Sequence, residues 1–191
     1  MRVTKEKTLE NKRRIVETAS RLFRQHGYDG IGIADLMREA GFSHGGFYNH
    51  FSSKEELIAA ASQDAFEELE RETRGKDLSE ILASYLSPIH RDDLARSCPA
   101  TALGCDAGRQ TDGTKRVFKA GIEGWLARID FALEEEGVDR NERRDKAINL
   151  LAKAVGAVVL ARAVSIDPAL SDEILQICQA GSLADVCSAP K

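Results

Sequence analysis

Apolar residues recur at three- and four-residue intervals along nearly all of this chain, and no convincing strand alternation appears. Residues 9–26 place Ile15, Ala19, Leu22 and Phe23 on one stripe, and Gly27 ends that helix. A segment at 33–40 aligns Ile33, Leu36, Met37 and Ala40 before Gly41 stops it. Ser53-Lys54-Glu55-Glu56 reads as a capping box opening a long helix to about Arg74, with Leu57, Ile58, Ala61, Ala65, Phe66 and Leu69 on its apolar side. Gly75-Lys76-Asp77 breaks the pattern, and a helix at 78–87 is expected to stop at Ser87-Pro88. Cys98-Pro99 starts another, to about Gln110. Residues 114–136 carry Phe118, Ile122, Trp125, Ile129 and Leu133, residues 140–164 form a long helix, and Pro168 opens a last one to about Gln179. Aromatics at 6% of 191 residues, with 15 Gly and 4 Pro, favour helices over a sandwich or barrel. The expected fold is all-α, with a small N-terminal unit at 1–54 and a larger helical unit at 55–191.

The densest information lies in 33–51. Two helices joined by a short turn containing Gly41 match a helix-turn-helix. Phe42 supplies the apolar contact after the stop, and Ser43 stands where an N-cap belongs. The second helix, expected over 44–51, turns Phe47 and Phe51 inward. It also contains Gly45 and Gly46, and each helical glycine costs about 0.8–1.0 kcal/mol relative to alanine. A packed core helix gains nothing from that. A helix whose backbone must approach a phosphate or base edge does, because no Cβ intervenes. Ser43, His44, Tyr48, Asn49 and His50 face outward as hydrogen-bonding groups, and Lys54 sits at the next helix N-terminus, where a cation and free amides can hold phosphate.

Net charge looks unfavourable for such a role. The chain carries 27 Lys and Arg against 31 Asp and Glu, a net of −4. The charge is unevenly placed, however. Residues 1–54 hold 10 basic and 6 acidic side chains, net +4, and residues 55–191 hold 17 and 25, net −8. The basic share falls on the segment expected to meet phosphates.

The run Gly27-Tyr28-Asp29, Ile33–Leu36, Glu39-Ala40-Gly41-Phe42-Ser43 and Gly46-Phe47-Tyr48-Asn49-His50-Phe51-Ser52-Ser53-Lys54-Glu55-Glu56-Leu57 resembles the tetracycline-repressor (TetR) family of bacterial transcription regulators. The resemblance covers about residues 9–60. It implies a three-helix DNA-binding domain, a helical ligand-binding and dimerisation domain, and repression released by a small molecule. Within it, Tyr48 and Lys54 match positions on the DNA backbone, and Ser43, His44, Gly45, Gly46 and Asn49 match positions facing the groove. Where the family often has Thr or Ser at the start of its second helix, this chain has Ile31 and Gly32. The Ser-His-Gly-Gly-Phe-Tyr-Asn-His-Phe variant, followed by His90-Arg91-Asp92-Asp93 and Cys98-Pro99, looks like one branch of that family. The implied partners are double-stranded operator DNA, a small-molecule inducer, and a second copy meeting through helices near 140–164 and 168–179. An ordinary buried helix explains the small residues of 147–163 equally well.

Other features admit two readings. Lys12, Arg13 and Arg14 can reach phosphates or form a solvated face. His26 reads as a helix C-terminal charge partner and Tyr28 as packing. Phe66, Tyr85, Phe118, Trp125 and Phe131 fall at helical spacing, as pocket lining or as core. Cys98 is an expected N-cap near Arg91 and Arg96, either a reactive thiol sensing oxidants or electrophiles or a packed thiol beside the ligand cavity. Packing is the simpler reading. Cys105 lies about 10 Å further along an intact helix, too far for a disulfide to Cys98. A small helical enzyme using Cys98 and His90 as nucleophile and base is the rival class, without a visible orienting residue or oxyanion feature. The four cysteines show no CxxC spacing, and no cofactor motif, metal motif, signal peptide or membrane span is evident. A cytoplasmic, non-enzymatic regulator without a cofactor is the expectation.

Overall fold

The computed structural model describes residues 5–187 as a stack of helices, with no strand among the described residues. The order is α1 (Lys5–His26), α2 (Ile33–Glu39), a 3₁₀ turn (His44–Asn49), α3 (Lys54–Thr73), α4 (Leu78–Tyr85), α5 (Pro88–Asp92), α6 (Pro99–Ala107), α7 (Asp112–Glu135), α8 (Arg140–Ala163) and α9 (Pro168–Cys187). Helix α1 packs on α3, α2 packs on α1, and the turn packs on α2. The second half of α3 lies on α7, which packs on α8, and α8 on α9.

Each expected stripe is buried. Ile15, Ala19, Leu22 and Phe23 of α1 meet Leu36, Met37 and Phe47, and Leu57, Ile58, Ala61, Ala65, Phe66 and Leu69 line the inner side of α3. Tyr28 is wholly buried, edge-on to Phe23, with its hydroxyl on Ser62 Oγ at 2.7 Å. That burial pushes its phenol up to about 12. The apolar interior runs unbroken from Ile15 to Leu175, and α3 begins at Lys54, beside the expected boundary at 54/55.

Three local expectations change. Pro88 starts a helix instead of only ending one: Ser87 caps α5 by accepting the His90 N–H at 3.2 Å, with Pro88 in the first turn, where its missing N–H costs nothing. The 44–51 segment is a 3₁₀ turn over 44–49 rather than an α-helix, closed by Gly46 N–H to Ser43 C=O at 3.0 Å. Two glycines in six residues give an α-helix little to propagate on. The final helix continues past Gln179 to Cys187. Phe131 is 58% exposed and belongs to neither core nor pocket.

The stop between α2 and the turn is a complete Schellman motif. Phe42 N–H reaches Met37 C=O at 2.8 Å, Gly41 N–H reaches Arg38 C=O at 3.0 Å, and Gly41 has φ +80°. A Cβ there would also stand 2.8 Å from Arg14 Nη2. Gly41→Ala is therefore expected to cost about 1–2 kcal/mol from the left-handed backbone alone. Gly45→Ala, with nothing within 4 Å of its Cβ and no positive φ, should leave stability unchanged or slightly raised. Thermal unfolding of the two variants separates them.

Candidate nucleic-acid interface

The helix-turn-helix presents a short polar ridge. Its inner side is fixed by Phe47 and Phe51, both buried, with ring centroids 5.6 Å apart and nearly parallel. Phe47 also meets the Tyr48 ring edge-on at 5.2 Å, so Tyr48 stands upright on the core and is 64% exposed. His44 lies 6.3 Å from Tyr48, tilted to an edge contact. Ser43, His44, Gly45, Tyr48 and Asn49 are all exposed. Ser43 occupies the N-cap with extended backbone, but its hydroxyl makes no cap hydrogen bond.

The glycine pair has no internal reason to be glycine. Neither residue has positive φ, a Cβ at 45 would meet nothing, and one at 46 would make ordinary contacts with Ser43 and Met37. What the pair supplies is bare backbone on an exposed ridge. Beside it, Thr8, Asn11, Phe42, Ser43, Gly46, Asn49 and His50 line a depression of about 300 Å³.

His50 departs from the outward expectation. It is half-buried, tilted against Phe42 at 6.5 Å, and its Nδ1 is shut away without a hydrogen-bond partner. Lys54 is also half-buried, and its Nζ donates to Ile31 C=O at 2.9 Å, tying α3 to the loop before α2. Gly32 caps α2 without a side chain. The N-terminus of α3 is secured by Ser53 Oγ, which accepts Glu56 N–H at 3.2 Å, while Glu56 reaches back one residue further than a standard capping box, to Ser52 N–H at 2.7 Å. The Ser52 amide above all, with the Ser52 hydroxyl at 2.8 Å, holds the Glu56 carboxyl below its ordinary value. The basic trio of α1 divides. Lys12 lies 4.7 Å over the Phe51 ring, Arg13 pairs with Glu17 at 2.6 Å, and Arg14 lies 5.5 Å from the Phe42 centroid.

The ridge is bolted to the rest of the molecule at the end of α1, through residues that no sequence motif announces. Arg24 is buried, and its guanidinium donates to Glu68 Oε2 at 2.5 Å, Ser97 C=O at 3.3 Å and Ser20 C=O at 3.1 Å. Tyr28 N–H reaches Asp106 of α6 at 3.4 Å. From the opposite side, Arg162 of α8 donates to Ser97 Oγ, His90 C=O and Arg91 C=O at 2.7–2.8 Å.

Cys98 sits at the centre of this junction. It is the N-cap of α6, as expected, but it is 1% exposed and its thiol interacts with the buried Tyr85 hydroxyl. His90 Nε2 accepts the Cys98 backbone N–H at 3.1 Å, so Nδ1 carries the proton donated to Tyr85 C=O at 2.7 Å. Burial, aided by the Arg162 charge, holds that imidazole below its ordinary value. His90 therefore serves the backbone and does not activate the thiol. Among the described residues Cys98, Cys105 and Cys178 are free, and no His, Cys, Asp and Glu group could hold a metal. Of the aromatic candidates, Phe66 and Trp125 line one groove between α3 and α7, whereas Phe118, edge-on to Phe66 at 5.3 Å, lines another between α6, α7 and α8. Cys98 lines neither.

A family model described as "Bacterial regulatory proteins, tetR family" matches residues 15–61, the ridge and its supports. The chain is 33% identical over 90 residues to the uncharacterized HTH-type transcriptional regulator YerO of Bacillus subtilis, covering 44% of this chain but 31% of that protein. It is 26% identical over 145 residues to the HTH-type transcriptional repressor DhaR of a Mycobacterium species, covering 72% and 73%. Among solved structures, a TetR transcriptional regulator from Chloroflexus aurantiacus superposes with a TM-score of 0.77 at 27% identity, over 96% of this chain and 97% of that one. The reduced form of Escherichia coli NemR shares the fold, with a TM-score of 0.73 at 22% identity over 91% and 95%. By sequence, residues 15–61 match the tetR family of bacterial regulatory proteins, and by fold the chain is similar to a solved TetR transcriptional regulator over nearly its whole length.

Proposed function

We propose that the protein is a ligand-responsive transcriptional regulator, a repressor that binds a palindromic operator as a homodimer and leaves it when a small molecule binds. The observation that carries this reading is the exposed Ser43–Asn49 ridge, polar side chains around bare glycine backbone on a rigid aromatic support. Residues 1–54 would read DNA, and residues 55–191 would sense the ligand and dimerise. In the major groove, Asn49 suits adenine and Ser43 and His44 suit other base edges. Tyr48 and Lys54 would set the register on phosphates, Lys54 with the donors left after its bond to Ile31. No helix among the described residues is long and apolar enough to cross a membrane.

Two copies would meet through α8 and α9. The face of α8 turned away from the core carries Ile148, Val159 and Leu160, 41–57% exposed, and α9 adds Leu170 and Ile177. The groove of about 710 Å³ bordered by Ile148, Ala152, Val155 and Gly156 opens on that same side of α8. A two-fold pair presents its reading heads to half-sites about 34–36 Å apart, or a multiple of that.

The test is selection of bound promoter fragments from the host genome, followed by salt titration. Affinity should fall steeply with salt, with a log–log slope of about −0.9 per phosphate neutralised. Tyr48→Phe removes one exposed hydroxyl-to-phosphate bond per subunit, about 1.5 kcal/mol each, so the dimer should lose roughly a hundredfold. Failure to retain any fragment, or salt-independent retention, defeats the reading.

A further inference from the structure

The groove between α3 and α7 encloses about 680 Å³, within the range of small-molecule sites, roughly 300–1,000 Å³. Its floor is Phe66 and Trp125, and Trp125 is the chain's one tryptophan. Two glycines of α7 shape it. A Cβ at Gly121 would stand 2.5 Å from the Phe66 ring, so glycine lets that ring lie against the α7 backbone. Gly124 also lines the groove, and a Cβ there would meet nothing within 4 Å. Glycine weakens a helix interior, and no neighbour in this structure repays it at 124. The space it leaves is groove.

Arg128 is the second observation. Its Nη2 donates to Thr73 C=O at 2.6 Å and Lys76 C=O at 2.8 Å, holding the C-terminal end of α3. Its Nε is buried without an acceptor, and among the described residues no carboxylate pairs with it. Two carboxylates and a second guanidinium also line the groove: Glu67 accepts from Gln63 at 2.9 Å, Glu70 pairs with Arg74 at 3.7 Å, and Arg116 stands opposite them on α7. A half-buried guanidinium held by neutral carbonyls beside an aromatic floor is complementary to an anion carried on a ring.

We propose that this groove is the effector site and that its ligand class is the planar aromatic anions, lying on Phe66 and Trp125 with the anionic group at Arg128. The assignment rests on the regulator reading and names the chemistry of its signal. An anion at Arg128 competes with Thr73 and Lys76 for the guanidinium. It thereby loosens the end of α3, the helix that carries the reading head. Such a ligand shifts the molecule only because it binds the loosened state better.

The probes are 1-anilinonaphthalene-8-sulfonate and N-phenyl-1-naphthylamine, the same ring system with and without an anion. Sulfonate binding should quench Trp125 emission, and the uncharged dye should bind at least tenfold more weakly. Gly124→Leu fills the groove from an open position and should weaken sulfonate binding at least tenfold, with a melting point no lower than the parent's. Arg128→Gln should erase the preference for the charged dye. Lys115→Gln with Lys119→Gln, on the α6–α8 groove, should change nothing. Equal binding of the two dyes, an unaffected Gly124→Leu variant, or loss in the double lysine variant overturns the assignment. Operator binding is measured on the same samples. Operator binding with no dye binding sinks the effector site alone. Dye binding as expected with no promoter fragment retained removes the regulator reading and leaves the ligand site standing.

Discussion

Arg24→Ala should lower the unfolding free energy by about 3 kcal/mol, at the low end of the range for breaking a buried ion pair. The low end applies because Glu68 keeps a 30% exposed side chain and can recover some hydration, whereas Arg24 is 4% exposed and cannot. For a chain of this size the loss corresponds to a melting point roughly 6–12 °C lower. Part of the loss is volume, since the arginine stem fills space between α1 and α3. Arg24→Met keeps most of that stem and isolates the charge. Combining it with Glu68→Met should recover much of the stability, because the partner is no longer left unpaired. The substitution also cuts the bond to Ser97, the residue that Arg162 holds from the other side. Effector binding should then release operator less completely in Arg24→Met than in the parent. A melting point within 2 °C of the parent in Arg24→Ala would show that the junction is held by apolar contacts instead.

That junction was the least legible part of the sequence. Helix periodicity located every long helix, since burial of Ile15, Leu22, Phe66 or Leu133 follows from 3.6-residue spacing alone. Gly27 and Gly41 were legible as stops for a backbone reason, and both have positive φ. The ridge could be read from local chemistry because its residues are consecutive. Arg24, Arg128 and Arg162 could not. Each is a basic residue on a helix, which usually means a solvated face, and each acquires its role from carbonyls far away in sequence. Pro88 shows the same limit at short range, since a proline marks a helix end and a helix start with the same residue. The aromatic candidates were found as a set, but their division between two grooves depends on how α3, α6 and α8 surround α7.

Leu160→Glu together with Val159→Glu should convert the proposed dimer to a folded monomer and abolish operator retention at concentrations where the parent binds. Both side chains are exposed in the single chain, 57% and 41%, so carboxylates there are hydrated and the monomer's core is untouched. Across a two-fold axis the same substitutions appear on both sides of one contact. Like charges then face each other as the surface is desolvated, at a cost of several kcal/mol, or a dissociation constant raised on the order of a thousandfold. Operator binding suffers further, because each monomer holds one half-site and loses the second as an intramolecular partner. Leu9→Glu is the matched control: this residue is 69% exposed on α1, which packs on α2, α3 and α6, and should leave assembly unchanged. Sedimentation velocity of the three proteins decides the matter. A dimer that survives both glutamates places the two-fold elsewhere and requires another cover for the apolar face of α8.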